Sequence, residues 1–92
     1  MKFKLMYTMT FTNGVRMVAD ECEADTPFSA GCQMEEKLKA RIGKKNFNSL
    51  KSAEVVDENG DTKAMLQIAD KRDPVTGKPI LVPYWGTWLT IR

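Results

Sequence analysis

Phe3, Leu5, Tyr7, Met9 and Phe11 alternate with Lys2, Lys4, Met6, Thr8, Thr10 and Thr12, and Asn13-Gly14 follows. A period of two is that of a strand with one buried face, and Asn-Gly readily supplies the two positive φ angles of a tight hairpin turn. The chain is therefore expected to open with a β-hairpin. A two-residue turn sets Phe11 opposite Arg16, Met9 opposite Val18, Leu5 opposite Cys22 and Phe3 opposite Ala24, with Lys4 facing Glu23 on the other surface. A one-residue bulge at the turn brings Val15, Met17 and Ala19 to the core side instead, so the pattern leaves the buried face of the second strand open.

The period changes after Asp25. Thr26 reads as an N-cap with Pro27 in the first turn, where its missing N–H leaves nothing unsatisfied. Phe28, Cys32, Leu38 and Ile42 then form an imperfect helical stripe that ends at Gly43, about four turns later. The helix runs from Glu35 and Glu36 to Lys37, Lys39 and Arg41, which places positive charge at the negative end of its dipole.

Beyond a polar linker, the residues predict a strand over about Leu50 to Val56, a turn at Asp57 to Asp61 and a strand over about Thr62 to Ala69. Val55 pairs with Ala64, and Ala53 with Leu66. Asp70 to Pro79 is turn chemistry, and about Ile80 to Ile91 forms a last strand, in which Pro83 requires an edge or a bulge. The expected order is β-β-α-β-β-β: a single small α+β domain over residues 1–92, with a mainly antiparallel sheet and one helix packed across one face. Phe11 and Leu38 are expected in the core, where truncation to alanine costs about 2–5 kcal/mol.

Composition narrows the chemistry. At 92 residues and 42% hydrophobic there is enough for one core, and no apolar run reaches the roughly 18 residues of a membrane span. Lys2 and Lys4 are not followed by an apolar leader segment, so the expectation is a cytoplasmic protein that does not meet the membrane. Cys22 and Cys32 match neither a disulfide framework nor a zinc knuckle, and there is no histidine to serve as metal ligand or as general base. Asp57-Glu58-Asn59-Gly60-Asp61 has oxygen ligands at alternate positions. Its glycine stands fourth rather than sixth, however, and Ile68 occupies the place of the bidentate glutamate, so a plain turn is expected.

Glu35 and Glu36 diverge on the helix, Asp20 and Glu21 point to opposite faces of a strand, and neither cysteine has an imidazole to activate it. No glycine-rich phosphate loop is present. The expectation is a non-catalytic protein with no metal and no cofactor.

Two stretches bear on binding. Residues 15–36 carry one basic and six acidic side chains, whereas residues 37–51 carry Lys37, Lys39, Arg41, Lys44, Lys45 and Lys51 and no acid. Such a block either complements the helix dipole and the acidic strand nearby or clamps phosphates. The second stretch is Tyr84-Trp85-Gly86-Thr87-Trp88, which follows a loop bearing Lys71, Arg72 and Lys78. In an unbroken strand Trp85, Thr87, Leu89 and Ile91 share one face, and Tyr84, Trp88, Thr90 and Arg92 the other, Arg92 lying outside the residues that the structure describes. Trp85 then belongs to the core and Trp88 stands outside with Tyr84, so truncating Trp88 is expected to spare the fold; if instead Pro83 and Gly86 disrupt the alternation, both indoles cover the sheet.

The leading expectation is a small regulatory protein that docks on another protein through a sheet edge or this aromatic strand, with Tyr84, Trp88, Lys78 and Arg72 as contacts. Met6, Met17 and Tyr84 on outer strand faces favour it, and self-association as a homodimer is the simplest variant. Small regulators carried by phages and mobile elements often have this character, by analogy and without a shared motif. The alternative is a nucleic-acid-binding module using Lys37, Arg41, Lys44, Lys45 and Lys51 with Tyr84 and Trp88, against which a net charge of only +2 weighs.

Overall fold

The computed structural model describes residues 1–91, in which β1 (Lys2–Met9) and β2 (Met17–Glu23) are followed by α1 (Pro27–Ile42) and a 3-10 segment (Lys44–Ser49). β3 (Leu50–Val56), β4 (Thr62–Arg72) and β5 (Pro79–Thr90) complete the chain. All pairings are antiparallel, and the strands lie side by side in the order β2-β1-β3-β4-β5 with α1 packed across one face. This is the α+β arrangement and the element order that the patterning predicts. β3 occupies the residues expected, and Val55 faces Ala64. β4 continues to Arg72 rather than ending near Ala69, which confines the loop before β5 to Asp73–Lys78.

The opening hairpin departs from the simple register. Asn13 and Gly14 do take positive φ, at 54° and 80°, and Val15 N–H bonds back to Thr12 O. The strand has already stopped at Met9, however, because Thr12 returns both its N–H and its hydroxyl to Met9 O. Phe11 therefore lies in the turn and is 64% exposed, contrary to its expected place in the core. Pairing runs Phe3↔Cys22 and Leu5↔Asp20, then shifts to Met6↔Val18 and Tyr7↔Met17. Ala19 is the extra residue, so Cys22 and Ala24 pack on the core beyond the bulge, and Met17 and Ala19 do so on the turn side of it. The pairs expected of a two-residue turn, Phe3 with Ala24, Leu5 with Cys22, Lys4 with Glu23 and Met9 with Val18, are not formed, because the strand stops short of the turn; each of the two inward-facing sets open in the sequence nevertheless holds for part of β2, and Met17 faces inward instead of outward.

α1 begins and ends at the expected caps. Thr26 Oγ1 accepts from Ser29 N–H, Pro27 opens the helix, and Gly43 closes it at φ 79°. Its buried stripe is Ala30, Gly31, Met34, Leu38 and Ile42. Phe28 and Cys32, expected on that stripe, are exposed. The reason lies at Gly31. A methyl group added there would stand 2.5 Å from Cδ2 of Trp88, so the indole lies directly against the helix backbone. Trp88 is 2% exposed and belongs to the core with Phe3, Leu5, Tyr7, Met34 and Leu66. The expectation that it stands outside beside Tyr84 is thereby corrected. Its indole N–H has no partner among the described residues, which opposes the apolar gain by about 1–3 kcal/mol.

Leu38→Ala is expected to lower unfolding free energy by about 2–5 kcal/mol, and Trp88→Ala by about 3–5 kcal/mol. Phe11→Ala is expected to change it by less than about 0.5 kcal/mol. Urea titrations of the three variants check this ranking.

Candidate docking surface

β4 and β5 do not pair evenly. Leu66 faces Trp88, but only two residues further along β4, Ile68 faces Pro83, five residues back along β5. Three extra residues of β5 are therefore accommodated in a bulge spanning Tyr84–Thr87, with Gly86 at φ 85°. This is the irregularity that Pro83 called for. It breaks the alternation on which the expected faces of Tyr84 and Trp88 were based.

Side chains of the helical layer hold the bulge. Glu35 accepts from Gly86 N–H, and Thr87 Oγ1 donates to Tyr84 O. Trp85 is half-buried: Phe47 of the 3-10 segment meets it edge-on, with ring centres 5.1 Å apart, and Lys39 Nζ lies 5.2 Å from its ring centre. Lys39 also bridges Glu35 and Glu36, at 3.8 and 3.3 Å. Sequence reasoning missed this cluster, because its members come from three separate elements and only the fold brings them together. Tyr84 is the ring of β5 that remains outside, 40% exposed, with Lys71 Nζ 5.6 Å from its centre. The cation beside it thus comes from β4 and not from the basic block.

Beyond the bulge the strands leave the sheet. β3 pairs with β4 only from Glu54 to Val56, so Ile68–Arg72 and Pro79–Pro83 form a two-stranded ribbon paired only with itself. The molecule is correspondingly long, 44 × 21 × 21 Å. Ile80, Leu81 and Val82 are consecutive and half-buried, so apolar groups face both sides of the ribbon. Arg72 and Lys78 are exposed near its tip, where Arg72 donates to Gly77 O. At its root a recess of about 430 Å³ is lined by Thr10, Lys51, Ile68, Asp70 and Leu81.

The structure distributes the basic block. Lys37, Lys44 and Lys45 are exposed on α1 and the 3-10 segment, Arg41 Nε donates to the Tyr7 hydroxyl at 3.2 Å, and Lys51 faces the ribbon recess. With Trp88 buried, base stacking on that ring is closed off, and the nucleic-acid surface expected from the sequence is reduced to Tyr84 and its surrounding cations.

A second recess, of about 420 Å³, joins Lys2 and Lys4 to Glu21, Cys22, Glu23, Asp57 and Glu58. Burial pushes the Cys22 thiol above its ordinary value, and Asp20 adds to the shift against the opposing N-terminal ammonium. Burial and then Glu35 do the same to Cys32. A thiol held protonated is a poor nucleophile, so neither cysteine is activated. Among the described residues no cluster of Cys, Asp and Glu is placed to hold a metal ion, and no helix is long and apolar enough to cross a membrane. Compared with protein-family models, with curated proteins and with solved structures, the chain finds no match in any of the three.

An added Cβ at Gly86 meets nothing within 4 Å, so Gly86→Ala isolates backbone strain at positive φ. The substitution is expected to destabilise the fold by about 1–2 kcal/mol, measured by urea titration. Trp85 fluorescence should shift to the red as the bulge loosens over Lys39.

Proposed function

We propose that this chain is a small non-catalytic binding protein that docks on another protein through β5 and the outer β4–β5 ribbon, regulating its partner by occupying its surface. The observation that carries this reading is the ribbon itself. Two strands alone are at best marginally stable in water, and apolar residues on both faces of such a pair normally have cover on both. Among the described residues, no third strand pairs with the segment that carries Ile80, Leu81 and Val82. Tyr84 with Lys71, and Arg72 with Lys78 near the tip, supply an aromatic anchor and a polar rim, the composition that dominates binding energy at protein interfaces. Pro79, Pro83 and the bulge keep the edge of β5 from pairing indiscriminately with other strands, which favours recognition by side chains over strand addition.

Affinity capture from an extract of the source cells, with the wild-type chain and with Leu81→Asp and Tyr84→Ala variants of unchanged circular dichroism, tests this. The wild type is expected to retain a discrete protein that both variants lose. Equal retention by all three would remove the ribbon from the interface. A parallel titration with single-stranded DNA, followed through Trp85, covers the alternative: saturable quenching that weakens steeply with salt would assign Tyr84 and its cations to nucleic acid instead.

A further inference from the structure

The face of the sheet turned away from α1 carries a continuous row across all five strands. Val18 pairs with Met6, Met6 with Glu54, Glu54 with Met65, and Met65 with Leu89. Each of the last four is flanked in sequence by a core residue, so the row points to the uncovered side. Val18, Met65 and Leu89 are 40, 41 and 53% exposed. The row reads apolar, apolar, acid, apolar, apolar from either end.

We infer that this face binds a second copy of the chain in a two-fold, sheet-on-sheet dimer, an association separate from the partner docking proposed for the ribbon. A two-fold axis lying between the two facing sheets, parallel to the strands and level with Glu54, lays Val18 over Leu89 of the second copy and Met6 over Met65, so every apolar residue of the row meets another, while Glu54 meets Glu54 with each carboxylate already held by Arg16 and Thr62. Charge permits the contact. Glu54 Oε2 already accepts from Arg16 at 3.2 Å and from Thr62 at 2.9 Å. Lys4 and Lys63 are paired with Glu21 and Asp57, at 3.6 and 3.8 Å. The face presents cations and acids already matched within one chain, so a second copy meets no unbalanced field, and there is no excess of one sign to select an oppositely charged partner. The row extends about 20 Å across the strands, and sheet-on-sheet contact over the whole face, the row and the positions flanking it, buries on the order of 1,000 Å² in total, the lower end of what a specific interface needs. The dimer is accordingly a reversible one.

Sedimentation equilibrium from about 5 to about 500 µM tests this. The wild-type chain is expected to pass from monomer to dimer across that range. Met65→Glu and Leu89→Glu, each at an exposed position and checked by circular dichroism, are expected to raise the dissociation constant by at least about 30-fold, whereas Tyr84→Ala on the ribbon leaves it unchanged. A wild-type monomer at every concentration would overturn the inference and leave the face to some other partner. A dimer dissociated by Tyr84→Ala but not by Met65→Glu would overturn it too, by moving self-association to the ribbon. Neither result decides the capture experiment, which reads the ribbon alone.

Discussion

The contact between Trp88 and the backbone of α1 at Gly31 is the constraint on which the rest of this structure depends. A helix residue without a side chain admits an indole to the centre of the two-layer core, and the indole in turn fixes where the helix crosses β5. Glycine in a helix interior is unfavourable by about 1 kcal/mol relative to alanine, an amount that burying an indole outweighs. Once Trp88 must point inward opposite Leu66 while Pro83 is buried opposite Ile68, three residues are left over. They form the bulge, and the bulge decides which aromatic groups of β5 are covered.

Everything distinctive about the surface follows from that arrangement. Trp85 turns under Phe47 and Lys39, Tyr84 turns outward toward Lys71, and the outer halves of β4 and β5 leave the sheet as a ribbon. With a single helix on one side, the opposite sheet face keeps its central row open. The two proposed associations thus use different products of the same packing: the ribbon exists because β4 diverges from β3, and the open row exists because one helix covers only one side.

Local chemistry made much of the fold legible. Asn13-Gly14 marked a turn with two positive φ angles, Thr26-Pro27 and Gly43 marked the ends of α1, and alternation marked β3 over the residues it occupies. What escaped were the places where one residue more or less reverses a face. Phe11 continues the alternation of β1 in sequence, yet Thr12 ends the strand by bonding back to Met9 O, and no periodicity records that competition. Ala19 and the Tyr84–Thr87 bulge are likewise set by what the neighbouring strand and helix require. The candidate site suffered most, because naming Trp88 as a contact rested on an unbroken β5, whereas the bulge bears out the alternative in which Pro83 and Gly86 interrupt the alternation. Tyr84, Lys78 and Arg72 are on the surface as anticipated, while Trp88 is the keystone of the core. Met6, an apolar residue among the polar positions of β1, was the one sequence signal of the open row.

A double-mutant cycle between Gly31 and Trp88 tests the governing role of their contact most directly. In the wild-type background Gly31→Ala is expected to destabilise the protein by about 1–3 kcal/mol, because the new methyl group collides with the indole. In a Trp88→Leu background, with the ring gone, the same substitution is expected to be neutral or to stabilise by up to about 1 kcal/mol through helix propensity alone. An equal effect of Gly31→Ala in both backgrounds would mean that the helix does not rest on Trp88, and the bulge, the ribbon and the open face would then need a different physical origin.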